Sequence, residues 1–198
     1  MPKHPALAIL EFDSVAVGIE AGDAMVKRAP LGVIHSGTAQ PGKYLVLIAG
    51  DVASVEESLA AGGALGGEAV IDTVFLPDIH PEVVAAIRGK RALEDGEALG
   101  VIETRTVSAV IAAADAAVKG ASVTVAQIEL ADGLGGKGYA LFGGVVSEVE
   151  AAVAAGVGAI TAAQLVASVV ISQLHDEMRE DVVAGPLFWE RVHGREVE

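Results

Sequence analysis

Short apolar runs alternate, along the first half of the chain, with segments in which apolar residues recur every three or four positions. Val15, Ile19 and Met25-Val26 have helical spacing, and Ser14 stands directly before them as a typical N-cap. The pattern predicts six elements in the order strand, helix, strand, strand, helix, strand. They cover residues 6–11, 15–29, 31–36, 44–49, 52–61 and 69–76.

The second half of the chain repeats this pattern, with Thr106 in the place of Ser14. A glycine-rich loop separates the second and third strands of each half, at residues 37–43 and 132–138. The order β-α-β-β-α-β predicts an antiparallel sheet with helices on one face, the ferredoxin-like α+β fold, formed twice in tandem. The six elements of the second half cover residues 98–103, 107–121, 123–130, 139–142, 146–155 and 164–172.

The two halves are related by duplication. Residues 7–31 match residues 99–123 at ten of 25 positions, and residues 42–62 match residues 136–156 at ten of 21. The offset grows from 92 to 94 between these blocks, so the second copy carries two extra residues in one loop, where insertions are tolerated. We expect a first domain over residues 1–84, a connector over 85–97, a second domain over 98–178 and a C-terminal extension over 179–198.

The connector and the extension are charged. We expect a short helix within residues 81–97 and, in the extension, a helix docked on the second domain; the extension also holds Trp189, the one tryptophan of the chain. Residues 151–171 lack charge and are long enough to span a bilayer. They are rich in Ala and Gly, and Gly156-Val157-Gly158 interrupts them, so we interpret them as a helix, a turn and a buried β-branched strand at residues 166–171.

Composition excludes several classes of partner and cofactor. The formal net charge of −14 argues against nucleic acids and anionic membranes, because both are bound through Lys and Arg. The chain has no cysteine, which excludes disulfides, thiolate nucleophiles and cysteine-ligated clusters. No basic segment followed by an apolar one begins the chain, so a cytoplasmic location is expected.

No catalytic constellation is visible, and we expect no enzyme, no metal and no cofactor. Gly133-Leu134-Gly135-Gly136-Lys137-Gly138 has the G-x-G-x-x-G spacing, but a predicted strand follows it where a nucleotide-binding turn requires a helix. The five histidines are scattered, and none has metal-ligand spacing.

Several polar residues are instead duplicated. Glu11 matches Glu103 at the end of the first strand, which indicates a cap or an interface contact that both copies need. Lys27 matches Lys119 near a helix C-terminus, where the helix dipole favours a cation. His80 matches His175 after the last strand, a position that favours a structural or interface role.

The duplicated segments resemble the shell domain of bacterial microcompartments. The likeness lies in residues 98–105 and 113–119, in the corresponding residues 6–11 and 22–27 of the first copy, and in Gly50-Asp51-Val52. The chain is most similar to the tandem-domain, trimeric members of propanediol-utilising compartments, with which it shares Pro41-Gly42-Lys43 and residues 133–137. The resemblance covers roughly residues 6–178.

The resemblance implies a homotrimer that forms a pseudohexagonal tile, packs edge to edge with other shell proteins in the shell of the organelle, and carries a pore on its axis. It places four residues at the tile edge, namely Lys27, Lys119, His80 and His175. It also places two loops around the pore; these contain Thr38, Ala39, Gln40, Pro41 and Gly42 in the first copy and Leu134, Gly135 and Gly136 in the second.

Two departures from the resemblance matter. The similar proteins of propanediol compartments have a cysteine before Pro-Gly-Lys that holds an iron–sulfur cluster, whereas this chain has Gln40 and no cysteine. The family's edge arginine is missing near Asp78 and Gln173. We therefore expect Gln40 amides and loop backbone groups to pass small polar metabolites. A trimeric small-molecule-binding or sensor protein on the same scaffold is the alternative, and an enzyme remains the third class.

Overall fold

The computed structural model describes residues 5–91, 93 and 98–184. Its first half forms the predicted order of elements, and its second half repeats it. The first-half elements are β1 (Ala6–Phe12), α1 (Val15–Arg28), β2 (Val33–Ala39), β3 (Lys43–Gly50), α2 (Val52–Gly66), β4 (Val70–Leu76) and α3 (Pro81–Ile87). The second-half elements are β5 (Ala98–Thr104), α4 (Val107–Gly120), β6 (Thr124–Leu130), β7 (Gly138–Gly144), α5 (Val146–Gly158), β8 (Leu165–Ile171) and α6 (Asp176–Ala184).

Each half contains one antiparallel four-stranded sheet. The strand order is β2-β3-β1-β4 in the first sheet and β6-β7-β5-β8 in the second, so the two domains share one topology. Helices α1 and α2 pack on one face of the first sheet, where Phe12, Met25 and Ile48 are fully buried. The predicted pair of tandem α+β domains is thus confirmed, and the short helix predicted within residues 81–97 is α3, of which only residues 85–87 lie in the expected connector.

Strand β2 and helix α2 of the first domain differ from their predicted bounds. Strand β2 begins at Val33 and extends through Ala39, because Ala39 pairs with Lys43 and only three residues remain for the turn. Helix α2 ends five residues later than predicted. Gly62 lets it approach α1, since a Cβ at that position would lie 2.6 Å from the Met25 side chain.

The sheet face opposite the domain's own helices is called its open face below. On the first sheet the open face presents Leu7, Ile9 and Glu11, with Leu45 and Leu47 beside them on β3. Helix α4 of the second domain packs against this face, and residues of both domains therefore form a single hydrophobic cluster. Helix α4 lies between two sheets, its own and the first.

The uncharged segment 151–171 forms the end of α5, a turn and strand β8, as predicted. The expectation of a buried strand at 166–171 is wrong, since Val166 and Val169 are exposed. Strand β8 is an edge strand, and among the described residues no helix packs on its open face as α4 packs on that of the first sheet. Within the described part of the chain, no helix combines the length and apolarity needed to cross a bilayer.

Candidate functional site

The two predicted pore loops lie against each other. A Cβ at Gly136 would stand 2.8 Å from the carbonyl oxygen of Gln40 and 3.1 Å from Pro41 Cδ, so only a glycine lets the loops touch. Gly136 has a φ of 80°, which side-chain-bearing residues rarely adopt. Lys43 Nζ donates to the Gly136 carbonyl at 3.1 Å and joins the loops further.

The remaining loop residues differ in exposure. Ala39 and Gly136 are buried where the loops meet, and Leu134 is half-buried. The exposed residues of the predicted set are Thr38, Gln40, Pro41, Gly42 and Gly135. The structure therefore brings both predicted loops to one place and leaves the Gln40 side chain exposed.

Glu11 connects the two domains through a buried carboxylate. Its Oε1 accepts a hydrogen bond from the backbone N–H of Ser108 at 2.6 Å, in the first turn of α4. Its Oε2 lies 3.1 Å from Lys43 Nζ, and Glu11 is fully buried. The carboxylate thus meets both a helix N-terminus and an ammonium group. The interpretation of Glu11 as a cap and an interface contact agrees with this geometry.

In the part of the chain that the structure describes, no helix N-terminus meets the matching pair of the second domain, Glu103 and Lys137. Lys137 Nζ donates to Glu103 Oε1, but the side chains of Glu103 and Lys137 are 29% and 44% exposed. In the first domain, the corresponding values for Glu11 and Lys43 are 0% and 14%. The ion pair therefore forms in the second domain as well, but both of its side chains remain partly exposed to solvent.

The duplicated lysines Lys119 and Lys27 also differ, because only Lys119 contacts the other domain. Lys119 Nζ lies 2.6 Å from Asp115 Oδ2 and also donates to the carbonyl of Asp78, in the first domain. The other carboxylate oxygen of Asp115 accepts from the backbone N–H of His80 at 2.7 Å. Lys119 therefore lies where the two domains meet.

Among the described residues, the Lys27 side chain bonds only to a residue of its own helix. It pairs with Asp23, four residues earlier, and both side chains are more than half exposed. His80 caps α3 by accepting from the backbone N–H of Glu82 through Nδ1, at 3.3 Å. The His175 carbonyl accepts from the backbone N–H of Arg179 at the start of α6.

The largest contrast between the copies is the exposure of α1 and α4. Val107, Ile111 and Val118 of α4 are 2%, 0% and 9% exposed, because the open face of the first sheet covers them. Their counterparts on α1, at the offset of 92, are 37%, 54% and 42% exposed. These counterparts are Val15, Ile19 and Val26.

Sequence reasoning missed one cluster at the domain junction. Asp72 accepts from Thr106 Oγ1 at 2.5 Å and from Gln164 Nε2 at 2.8 Å. The cluster joins the edge strand of one domain to the other domain, but the position that matches Asp72 holds Ala167, as the shared strand register shows. Duplication therefore gave no signal for it. In the described ranges, no group of three or more His, Asp or Glu side chains could hold a metal ion.

Comparison with known proteins agrees with this architecture. The model of the BMC domain family matches twice, at residues 6–79 and 98–174. The chain is 41% identical over 181 residues to the bacterial microcompartment shell protein PduT of Citrobacter freundii, covering 91% of this chain and 98% of that protein.

Two further comparisons concern single domains and solved structures. The carboxysome shell protein CcmK2 of Thermosynechococcus vestitus is 38% identical over 95 residues, which cover 45% of this chain and 93% of that protein. The crystal structure of a microcompartment protein from Desulfitobacterium hafniense superposes with a TM-score of 0.77 at 40% identity and covers 89% of this chain and 99% of that one.

Proposed function

The chain belongs to the BMC-domain family of bacterial microcompartment shell proteins, and we propose that three copies form a ring of six domains that serves as one tile of the shell. As a shell protein it assembles with other shell proteins, and its place is in the shell of the compartment. The exposed apolar stripe of α1, namely Val15, Ile19 and Val26, carries the proposal of a trimer.

The packing inside one chain supplies the template for the ring. The open face of the first sheet covers α4, so the open face of the second sheet would cover α1 of a neighbouring copy in the same way. Val169 on that second face is 48% exposed, whereas its counterpart Val74 is 7% exposed. Both surfaces are apolar, have no covering partner among the described residues and belong to one chain, and a repeated head-to-tail contact between them forms a ring when the rotation between copies closes.

The trimer is tested by light scattering on the variant Ile19→Glu. We expect a wild-type mass of three chains and a variant mass of one chain with unchanged circular dichroism, because the new charge would be buried in the contact. Leu65→Glu is the matched control. Leu65 is exposed on α2, and its counterpart Ala159 is exposed as well, so no domain contact covers this position. A monomeric wild type, or an Ile19→Glu trimer, contradicts the proposal.

We also propose that the loops around Gln40 and Gly135 converge on the axis of the ring and line a pore for small polar metabolites. The contact between Gly136 and Gln40 supports this, because it puts both loops of one chain side by side. Amide and backbone groups would replace part of the hydration of a neutral or weakly charged solute. The proposed pore does not require any described residue to react with the solute.

The pore is tested by solute flux through trimers reconstituted in a planar membrane or in closed shells. Gln40→Trp is expected to lower the flux, and Gln40→Asn, which keeps the amide, is expected to retain most of it. Equal flux in Gln40→Trp and wild type removes the proposal of a pore at this loop.

The tile-edge role of Lys27 and Lys119, with His80 and His175, completes the proposed tile. The double variant Lys27→Ala/Lys119→Ala is expected to reduce extended sheets in electron micrographs, because an edge cation would be lost at each domain. Light scattering separates this effect from loss of the trimer, since Lys119 also lies at the domain junction. Normal sheets from the double variant contradict an edge role.

A further inference from the structure

Helix α6 lies at the end of the second domain, in the place that α3 takes at the end of the first. Strands β4 and β8 match at an offset of 95, and the same offset relates the first residues of the two helices, Pro81 and Asp176. Met178 of α6 is 53% exposed, whereas its counterpart on α3, Val83, is fully buried. We propose that α6 docks on the outer edge of β2 in a neighbouring copy. The proposal rests on the trimer proposed above.

Helix α3 shows the geometry of such docking within one chain. It packs on β6, which is an edge strand of the second sheet, and Val83 and Val125 belong to one hydrophobic cluster. Glu82 Oε2 accepts a hydrogen bond from the backbone N–H of Val125 at 2.9 Å. An edge strand presents backbone groups that its own sheet does not pair, so the helix supplies both an acceptor and an apolar cover.

The matching edge of the first sheet is β2. Ile34 pairs with Ile48 as Val125 pairs with Phe142, and Ile48 and Phe142 match at the offset of 94. Ile34 is 39% exposed, whereas Val125 is 2% exposed. Among the described residues, no helix packs on β2 as α3 packs on β6. The edge of β2 therefore offers a second copy the kind of surface that β6 offers to α3.

Helix α6 also carries the acceptor that this contact requires. Glu177 matches Glu82 at the offset of 95, and it is exposed. Its carboxylate would accept a hydrogen bond from the backbone N–H of Ile34 in the neighbouring copy, while Met178 packs beside the Ile34 side chain. A hydrogen bond to an ionised acceptor is stronger than one between neutral groups, so Glu177 would fix the position of α6 along the strand.

A second pair of groups supports the same contact between copies. The backbone N–H of His80 donates to Asp115 Oδ1 at 2.7 Å, and the Asp115 side chain is 5% exposed. Asp23, which matches Asp115 at the offset of 92, has a side chain that is 56% exposed. The backbone N–H of His175 would donate to Asp23 of the neighbouring copy. Both pairs join the second domain of one copy to the first domain of the next, as the ring requires.

Thiol reactivity tests the docking, since the chain has no cysteine of its own. The thiol of Met178→Cys is expected to react with a water-soluble aromatic disulfide at least about tenfold more slowly in the trimer than in the Ile19→Glu background, because docking shields it. Leu65→Cys is the control. Leu65 is exposed on α2, so its variant is expected to react at one rate in both backgrounds.

The outcomes separate the docking from the trimer. If light scattering shows a trimer in which Met178→Cys reacts as fast as Leu65→Cys, the docking of α6 is wrong and the trimer stands. Equal rates for Met178→Cys in the trimer and in the Ile19→Glu monomer also overturn the docking, because any cover would then come from the same chain. A monomeric wild type contradicts both proposals.

Light scattering over a dilution series tests the role of Glu177. Glu177→Ala is expected to raise the concentration at which the trimer dissociates by at least about tenfold, because every contact between copies loses a hydrogen bond to a charged group. Glu180→Ala is the matched control. Glu180 is exposed on the same helix, and its counterpart on α3 is Ala85, so the template has no polar side-chain contact there. Equal dissociation of the two variants contradicts the bond from Glu177 to β2.

Discussion

The carboxylate of Glu11 accepts a 2.6 Å hydrogen bond from the backbone N–H of Ser108, and this bond crosses from one domain to the other. Glu11 is the penultimate residue of the fully buried strand β1, while Ser108 lies in the first turn of α4, whose N-terminus carries positive partial charge. Lys43 balances the carboxylate from the opposite side. One duplicated acid therefore holds a sheet of the first domain against a helix of the second.

The first prediction concerns removal of this carboxylate. Glu11→Ala is expected to lower the free energy of unfolding by about 3 kcal/mol, because the mostly buried Lys43 loses its carboxylate partner and Ser108 loses its acceptor. Urea denaturation followed by circular dichroism measures the change. Arg28→Ala is the control, because Arg28 and Glu57 form an exposed pair and its loss should cost at most about 1 kcal/mol. Equal destabilisation by the two variants would contradict the capping role of Glu11.

The second prediction concerns the matching acid in the second domain. Glu103 would accept from the backbone N–H of Ala16 in a neighbouring copy, since Ala16 matches Ser108 at the offset of 92. Glu103→Ala should therefore change the unfolding of a single chain little, since its pair with Lys137 is partly exposed. It should make the trimer dissociate at a higher protein concentration, which light scattering over a dilution series detects. Dissociation at the wild-type concentration would show that Glu103 lies outside the contact between copies.

The third prediction separates backbone strain from close packing at the paired loops. Gly135→Ala and Gly136→Ala both place a side chain at positive φ, which costs about 1–2 kcal/mol. Gly135 has open space around its Cβ position, whereas a Cβ at Gly136 meets the Gln40 carbonyl. Gly136→Ala is therefore expected to lose a further ~1–3 kcal/mol because the loops must move apart.

Thermal unfolding of the two alanine variants provides the comparison. A lower midpoint for Gly136→Ala than for Gly135→Ala supports the contact between the loops. Equal midpoints would mean that the first-copy loop does not press on Gly136.

Helices α1 and α4 illustrate what the sequence predicts and what it does not. Ile19 and Ile111 occupy matching places in the same apolar spacing, which predicts both helices, but the face of α1 that packs on its own sheet consists of Gly18, Ala21, Gly22 and Met25. The 54% exposure of one and the complete burial of the other depend on a second sheet that covers only α4. Local periodicity contains no information about that contact, because it arises when two folded domains meet.

The candidate site likewise contains residues that the sequence predicts and residues that it does not. Gly42, Gly136 and the duplicated Glu11 were identifiable because turns and repeats leave a pattern in the sequence. The junction residue Asp72 was not, because its counterpart is Ala167 and its partners are distant in the chain. The β-branched residues of β8 predict a buried strand, whereas Val166 and Val169 are exposed in the described chain.

The final prediction uses a cap that only one copy possesses. Asp51 accepts from the backbone N–H of Ser54 at 3.0 Å at the start of α2, and this hydrogen bond lowers the pKa of its carboxyl. The matching position before α5 is Val145, which has the same extended backbone, is 66% exposed and makes no side-chain cap. Val145→Asp is therefore expected to raise the free energy of unfolding by about 1 kcal/mol at neutral pH.

The pH dependence identifies the cause of that gain. A carboxylate whose pKa is lower in the folded state than in the unfolded state stabilises above the unfolded value, and this contribution is lost as pH falls through the folded value. The advantage of Val145→Asp should thus be present at pH 7 and shrink below about pH 4. Val145→Ser, which caps without a charge, should keep its smaller gain over the same range. Urea denaturation at pH 7 and pH 3 measures both, and a Val145→Asp variant no more stable than wild type at pH 7 would mean that α5 begins in a different geometry from α2.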